Sequence, residues 1–181
     1  LDTNDPIELF KTWMNKAKET EPNDPNALSL ATSDKKGFPS VRMVLLKDFS
    51  KNGFIFYTNL NSQKSLSLKE NPKAEMCFYW KSLLRQVRIN GHISQVSDKD
   101  ADAYYNTRPY GARIGAWASK QSEVLQSRSE LINSVKDYKE KYNDEKNLPR
   151  PDYWSGWNLA PKDIEFWLHA DNRIHERLKY S

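Results

Sequence analysis

An α+β protein, a small antiparallel β-barrel carrying helices at its periphery, is the fold class that this sequence predicts. Three observations predict it. Strand-like runs alternate with turn signals three times within residues 27–59, too closely for a crossover helix, so they form an antiparallel meander and not βαβ units. Helical spacing is confined to a few short stretches outside that meander. A length of 181 residues supports one core that needs no staples, and the single cysteine, Cys77, excludes an internal disulfide framework and a structural zinc site.

Taken in order, Asp5-Pro6-Ile7-Glu8 opens a helix, with Asp5 as cap, Pro6 at its first position and Glu8 completing a capping box. Ile7, Phe10, Trp13, Met14 and Ala17 give it one apolar face. Strands are predicted over Ala27 to Thr32, Pro39 to Lys47 and Phe54 to Asn59, separated by turns at Asp34-Lys35-Lys36-Gly37 and Ser50-Lys51-Asn52-Gly53. Ser62 to Glu70 suits a short helix ended by Asn71-Pro72. Two more strands follow, Ala74 to Trp80 and Arg85 to Val96, the second interrupted at Asn90-Gly91. Ser97 with Asp100 starts a helix that Arg108-Pro109 ends, and Ser127 with Glu130 starts another that runs to about Tyr142. Three strands close the chain: Tyr153 to Leu159, Ile164 to Leu168 and Arg173 to Tyr180.

The net charge of +4 is uneven. Residues 1–34 carry 3 Lys/Arg against 7 Asp/Glu, residues 35–88 carry 11 against 3, and residues 89–181 carry 14 of each. A basic middle suits either an anionic ligand such as phosphate or a solvated lysine-rich surface. No apolar run reaches the ~20 residues that cross a bilayer, and no charged-then-apolar leader is present, so a cytoplasmic protein is expected. Leu1 is not an initiator methionine, so the natural chain is expected to begin upstream.

Several groups carry chemical content. Arg42 lies within the apolar run Val41 to Lys47, on the strand face of Val44 and Leu46, with Lys47 opposite; its fork of donors calls for an anion or for solvent at a strand edge. Tyr57-Thr58-Asn59 followed by Ser62-Gln63-Lys64 gathers hydroxyls, N–H groups and a lysine where a strand meets a helix start, as a phosphate site or an ordinary N-cap would. Gln86 and Arg88 share one strand face with Arg85 on the other, and Gln121-Ser122 falls in a helix-free gap. Arg173, His175 and Arg177 alternate, which puts three basic groups on one strand face and favours a bound anion over a solvated surface. GxxxxGK[ST], GxGxxG and HExxH are absent, and His92, His169 and His175 lack metal-ligand spacing with cysteine, so no metal is expected. Cys77, in an apolar strand, reads as core. What remains is a site of arginine, amide and aromatic groups for a phosphorylated planar ligand, with redox chemistry supplied by a cofactor.

In these blocks the chain resembles the pyridoxine (pyridoxamine) 5′-phosphate oxidase family, enzymes that carry FMN. The resemblance rests on Arg42-Met43-Val44-Leu45-Leu46-Lys47, Phe56-Tyr57-Thr58-Asn59, Asn71-Pro72, Phe78-Tyr79-Trp80, Arg85-Gln86-Val87 and Thr107-Arg108-Pro109. It continues through Ile114 to Ser122, Ile164-Glu165-Phe166-Trp167 and Arg173-Ile174-His175-Glu176-Arg177. It implies an antiparallel split β-barrel of the FMN-binding type, as a homodimer with FMN between the chains. The whole chain is then one domain: an N-terminal helix and linker over 1–24, barrel strands over 25–96, a helical segment over 97–152 and C-terminal strands over 153–181.

By the same resemblance Arg42, Met43, Val44, Leu45, Leu46, Lys47, Tyr57, Thr58, Gln63, Lys64, Gln86, Gln121, Ser122, Trp167 and Arg177 hold FMN. Lys47, Tyr104, Arg108, Ala112, Arg173, Ile174 and His175 hold the substrate, with Arg173 and His175 nearest the reacting carbon. The implied reaction oxidises pyridoxine 5′-phosphate or pyridoxamine 5′-phosphate with O2 to pyridoxal 5′-phosphate and hydrogen peroxide, with ammonia released from the amine. No nucleic acid or membrane partner is expected.

The chain departs from the family pattern at four places. Gln63 stands where an arginine is usual, Ala112 where a serine is, and Leu168 follows Trp167 where a glutamine and a glycine are; the chain also ends at Ser181, before a further strand. These departures imply weaker binding of FMN or substrate. They keep open a second reading, a flavin or pyridoxal-phosphate carrier without turnover. A nucleic-acid-binding barrel and a flavin reductase leave the Arg173–Arg177 segment without a role.

Overall fold

The computed structural model describes residues 3–181. The chain divides into two compact units: one takes in the chain up to Phe56 with Ser67–Ser94 and Trp157–Ser181, the other Tyr57–Leu66 with Gln95–Gly156. The described residues carry eight strands and five α-helices, the α+β class expected.

The first unit opens with α1 (Pro6–Thr20). Asp5 Oδ1 accepts the N–H groups of Ile7 and Glu8 at 2.8 and 3.2 Å, which satisfies two of the donors a helix start leaves over. The capping box itself does not close: Asp5 N–H donates to Thr3 Oγ1, and Glu8 turns to Lys11. Phe10, Trp13, Met14 and Ala17 are buried, the face their spacing predicts. Phe10 meets Phe49, Phe54 and Phe78 edge-on with centroids 4.9–5.1 Å apart, and Trp13 meets Phe166 at 5.2 Å. The positive ring edges of one group lie on the negative faces of the next, so this cluster gains beyond area burial.

The strands are β1 (Ala27–Ser33), β2 (Pro39–Leu45), β3 (Asp48–Ser50), β4 (Gly53–Asn59), β5 (Lys73–Trp80), β6 (Arg85–Gln95), β7 (Trp154–Leu168) and β8 (Glu176–Tyr180). They form one sheet in the order β2-β1-β5-β6-β7-β4-β3, with β8 added beside β7. The β1–β2, β1–β5, β3–β4, β5–β6 and β7–β8 ladders are antiparallel. Alternation puts Leu28 and Leu30 of β1, Met76, Phe78 and Trp80 of β5, and Val87 and Ile89 of β6 in the core, with Leu30 opposite Met76 and Met76 opposite Ile89.

The predicted strand Pro39 to Lys47 is shorter than expected. After Leu45 the chain changes partner: Leu46 N–H donates to Asn26 O, Lys47 N–H donates to Ile55 O, and pairing resumes in β3 against β4. The expected interruption of β6 at Asn90-Gly91 does not occur. Gly91 is required for another reason, since a Cβ there would lie 2.0 Å from the carbonyl oxygen of Ala160. β7 is a single 15-residue strand where the sequence predicts two, Tyr153 to Leu159 and Ile164 to Leu168. The final strand starts at Glu176, because Asn172 and Arg173 turn through left-handed backbone (φ 56° and 62°) in a short 3-10 turn.

The second unit holds α3 (Asp98–Thr107), α4 (Tyr110–Ala118) and α5 (Arg128–Lys141); α2 (Gln63–Glu70) begins in it. Ser97 and Ser127 cap α3 and α5 as expected. The sequence reading missed α4. Two glycines, Gly111 and Gly115, lower its helix propensity, and Pro109, read as a terminator, also precedes the new helix. Tertiary burial of Arg113, Ile114 and Ala118 outweighs the weak propensity. The unit's core is Tyr105, Ile114, Leu148 and Trp154. No described helix is long and apolar enough to cross a membrane.

Candidate cofactor and substrate sites

In the second unit, the end of β4, the turn after it and the start of α2 assemble a donor cluster. Lys64 is only 7% exposed, and its Nζ donates to Thr58 Oγ1 at 3.1 Å, Ser62 Oγ at 3.2 Å and Gln121 Oε1 at 3.1 Å. Thr58 Oγ1 also donates to Gln121 Oε1 at 2.9 Å. Ser62 and Ser65 hydroxyls donate to Asn59 O, and Asn59 Nδ2 reaches Ser119 O, which ties the strand end to the loop carrying Gln121. The structure thus brings Gln121 to the Thr58, Asn59, Ser62 and Lys64 group that the sequence places together. Gln63 is exposed beside them, and Ser122, also exposed, takes a left-handed backbone of φ 68°.

A second set in the same unit surrounds Trp154, which is 6% exposed. Tyr57 stacks on Tyr104 with centroids 4.0 Å apart and on Trp154 at 5.3 Å. The Arg108 guanidinium lies over the Trp154 ring at 4.7 Å, and its Nη1 is buried with no partner. Burial lowers the Arg108 pKa and raises that of Tyr104. A half-buried guanidinium with an unused donor is built to receive an anion. Ala112, half-buried in the first turn of α4, offers a methyl group and no donor. Trp154 was absent from the residues singled out in sequence; its only signal there was an aromatic side chain just after a proline-containing loop.

In the first unit Arg42 sits on the inward face of β2. Its Nη1 donates to Leu30 O, Thr32 Oγ1 and Ser40 O, and its Nη2 to Ser40 Oγ. All four acceptors are neutral, no carboxylate among the described residues pairs with it, and burial lowers its pKa. Val44 and Leu45 are half-buried, Leu46 is buried, and Lys47 is exposed. Met43 is 62% exposed on the outward face. Gln86 is half-buried opposite Tyr79. Arg85 lies on the other face, over Trp13 at 4.6 Å, and Arg88 pairs with Glu75 and Glu165, so it is already neutralised.

The last predicted group needs correction. Arg173, His175 and Arg177 do not share the face of one strand: Arg173 is in the 3-10 turn, His175 precedes β8, and only Arg177 is in a ladder, opposite Trp167. What the turn does assemble is a ring cluster. His175 lies 4.6 Å from Trp167 and 5.1 Å from His169, and its Nδ1 accepts the Ala170 N–H at 3.2 Å. Arg177 stands 3.9 Å from Glu165; Arg173 and Ile174 are exposed. The described residues contain no group of three metal-ligating side chains.

The chain is similar to known proteins in sequence and in fold. The family model described as pyridoxamine 5′-phosphate oxidase matches residues 14–142, and one described as the pyridoxine 5′-phosphate oxidase C-terminal dimerisation region matches residues 154–181. A pyridoxine/pyridoxamine 5′-phosphate oxidase from Pelagibacter ubique is 67% identical over 181 residues, all of this chain and 87% of the relative. One from Allorhizobium ampelinum is 54% identical over 179 residues, 99% of this chain and 86% of the relative. Among solved structures, PhzG from Burkholderia lata in complex with tetrahydrophenazine-1-carboxylic acid superimposes with a TM-score of 0.92 at 30% identity, covering 99% of this chain and 87% of that one. An FMN-binding protein related to pyridoxamine 5′-phosphate oxidase, from Nostoc punctiforme, has a TM-score of 0.72 at 15% identity over 99% of this chain and all of its own, a likeness of fold. With a family model over most of its length and a relative 67% identical from end to end, the chain belongs to the pyridoxamine 5′-phosphate oxidase family, with that family's split-barrel fold.

Proposed function

We infer that this chain is an FMN-dependent oxidase that converts pyridoxine 5′-phosphate or pyridoxamine 5′-phosphate to pyridoxal 5′-phosphate in vitamin B6 metabolism. The observation that carries the reading is the buried Lys64 ammonium set among the Thr58, Ser62 and Gln121 side chains. A cation ringed by hydroxyl and amide groups is the donor set that a flavin phosphate needs, so the residues present fit FMN. FMN held there would supply the two-electron acceptor that oxidation of the substrate's C4′ carbon by O2 needs. Pyridoxine 5′-phosphate and O2 give pyridoxal 5′-phosphate and hydrogen peroxide; from the amine, one water enters and ammonia leaves.

The chain's own residues bind, orient and hold protons. By the family resemblance, Arg42 to Lys47, Tyr57, Thr58, Gln63, Lys64, Gln86, Gln121, Ser122, Trp167 and Arg177 hold the cofactor. Arg42 is pre-set for this by four bonds to neutral oxygens, which fix its fork while leaving its charge unpaired. Tyr104 and Arg108 hold the substrate phosphate, with Lys47, Ala112, Arg173, Ile174 and His175 completing the substrate contacts. Because its Nδ1 accepts from Ala170, neutral His175 carries its proton on Nε2 and offers a donor there. Residues 154–181 match the family's dimerisation region, which supports a homodimer. A cytoplasmic enzyme without nucleic-acid or membrane partners, acting as one domain, completes the reading.

Reconstitution with FMN followed by anaerobic addition of pyridoxine 5′-phosphate tests it. Bleaching of the oxidised flavin band that reverses in air, with pyridoxal 5′-phosphate formed, is expected. Bound FMN that stays oxidised would replace the oxidase with a carrier.

A further inference from the structure

The second unit contains a charged clamp that none of the assigned contacts uses. Arg150, in the loop before β7, has a side chain only 9% exposed and spends all three of its donor groups. Its Nε donates to Asp102 Oδ1 at 2.6 Å, its Nη2 to Asp98 Oδ1 at 2.9 Å and its Nη1 to the main-chain oxygen of Trp154 at 2.7 Å. Asp98 and Asp102 are one helical turn apart on α3, so one planar fork joins a helix face to the first residue of β7. Two residues beyond Asp102 on α3 comes Tyr104, and the residue that ends the helix is Arg108.

The Trp154 ring completes the link. It is packed edge-on by Tyr105 at 5.3 Å and parallel to Tyr57, and it carries the Arg108 guanidinium on a face at 4.7 Å. A desolvated guanidinium over an indole is held by the ring's negative face, and that contact consumes none of its N–H donors. Arg108 therefore keeps its buried Nη1 for a ligand while the ring fixes its plane.

We propose that Arg150 and Trp154 are positioning residues for the substrate phosphate: Arg150 sets the distance between α3 and the start of β7, and Trp154 is the platform that aims Arg108. The proposal rests on the reading that Arg108 binds that phosphate. A fork aimed before substrate arrives loses less freedom on binding, so the clamp acts on substrate affinity and leaves the chemical step alone.

The test uses the FMN-loaded enzyme and pyridoxine 5′-phosphate, with inorganic phosphate as a competing ligand. Arg150→Met and the double variant Asp98→Ala/Asp102→Ala, the latter removing two solvent-facing carboxylates, are each expected to raise KM and the inhibition constant of phosphate about five- to twentyfold. Turnover at saturation and FMN affinity should stay within twofold. Trp154→Phe, which keeps a ring, should raise KM less than Trp154→Leu. In an Arg108→Met background the Asp98→Ala/Asp102→Ala pair should move KM by less than twofold, because its effect runs through Arg108. Equal effects in both backgrounds, or a fall in turnover with KM unmoved, would make the clamp merely structural and overturn the proposal. If Arg108→Met itself leaves KM unchanged, the phosphate reading falls and the proposal with it. If only Arg108→Met raises KM, the proposal falls alone.

Discussion

His175 Nδ1 accepts the main-chain N–H of Ala170 at 3.2 Å, which leaves Nε2 as the protonated nitrogen of the neutral ring. A glutamine places its amide N–H2 near the position of Nε2, and an asparagine does not reach it. His175→Gln is therefore expected to keep kcat/KM within about tenfold of wild type, the scale of one hydrogen bond, while His175→Asn falls further. Steady-state kinetics on both variants decides it; equal losses would mean that His175 acts as an acceptor or a base.

Lys64 and its hydroxyl neighbours form the second test. A charge-assisted bond contributes about 1.5–3 kcal/mol, so Lys64→Met should weaken FMN binding roughly ten- to a hundredfold. Quenching of flavin fluorescence on binding measures this directly. An unchanged FMN dissociation constant would remove Lys64 from the cofactor site.

Two of the four departures from the family pattern, Gln63 and Ala112, are expected to respond in the opposite direction. Gln63 is exposed, so Gln63→Arg adds a cation beside the Lys64 cluster without disturbing packing, and should tighten FMN about three- to tenfold. Ala112→Ser restores a hydroxyl donor and should lower KM for pyridoxine 5′-phosphate about two- to tenfold. Titration with FMN and initial-rate kinetics, respectively, check the two; no gain from either would sink the reading that these departures weaken binding.

Gly91 tests the sheet itself. A methyl group there would meet the Ala160 carbonyl at 2.0 Å, so β6 and β7 would have to move apart. Overpacking of this kind costs about 1–3 kcal/mol, and Gly91→Ala should lower the urea midpoint accordingly. A midpoint equal to wild type would show that β7 yields without cost.

Burial raises the phenols of Tyr105 and Tyr153 to about 12, while both donate to main-chain oxygens, of Arg113 and Trp117 respectively. The unfolded chain loses these protons near pH 10 and the folded one does not, so their stabilising effect is complete below pH 10 and declines between pH 10 and 12. For the fully buried Tyr105 the slope is up to about 1.4 kcal/mol per pH unit. Unfolding free energies measured across that range should flatten in Tyr105→Phe; an unaltered slope would assign the alkaline loss to other groups.

Much of this molecule was legible in sequence because the signals are local. Asp5, Ser97 and Ser127 cap helices from positions that any reader of spacing would choose, and Leu28, Leu30, Met76 and Phe78 alternate into the core as period-two patterns require. The site residues were legible as residue types in matched blocks. Their grouping was not. Thr58, Lys64 and Gln121 meet only because the loop after α4 folds back to the end of β4, and α4 itself was hidden by Gly111, Gly115 and Pro109. The alternation of Arg173, His175 and Arg177 pointed to a strand, and two residues in left-handed backbone made it a turn that brings His175 beside Trp167 instead. By itself the sequence determined most of the elements and which of their faces is apolar, since propensity and periodicity act within a few residues. Tertiary structure alone decided which donors converge, where Gly91 must lack a side chain, that Arg150 bonds Asp98 and Asp102, and that the Arg108 guanidinium lies over the Trp154 ring, since those contacts join residues far apart in the chain.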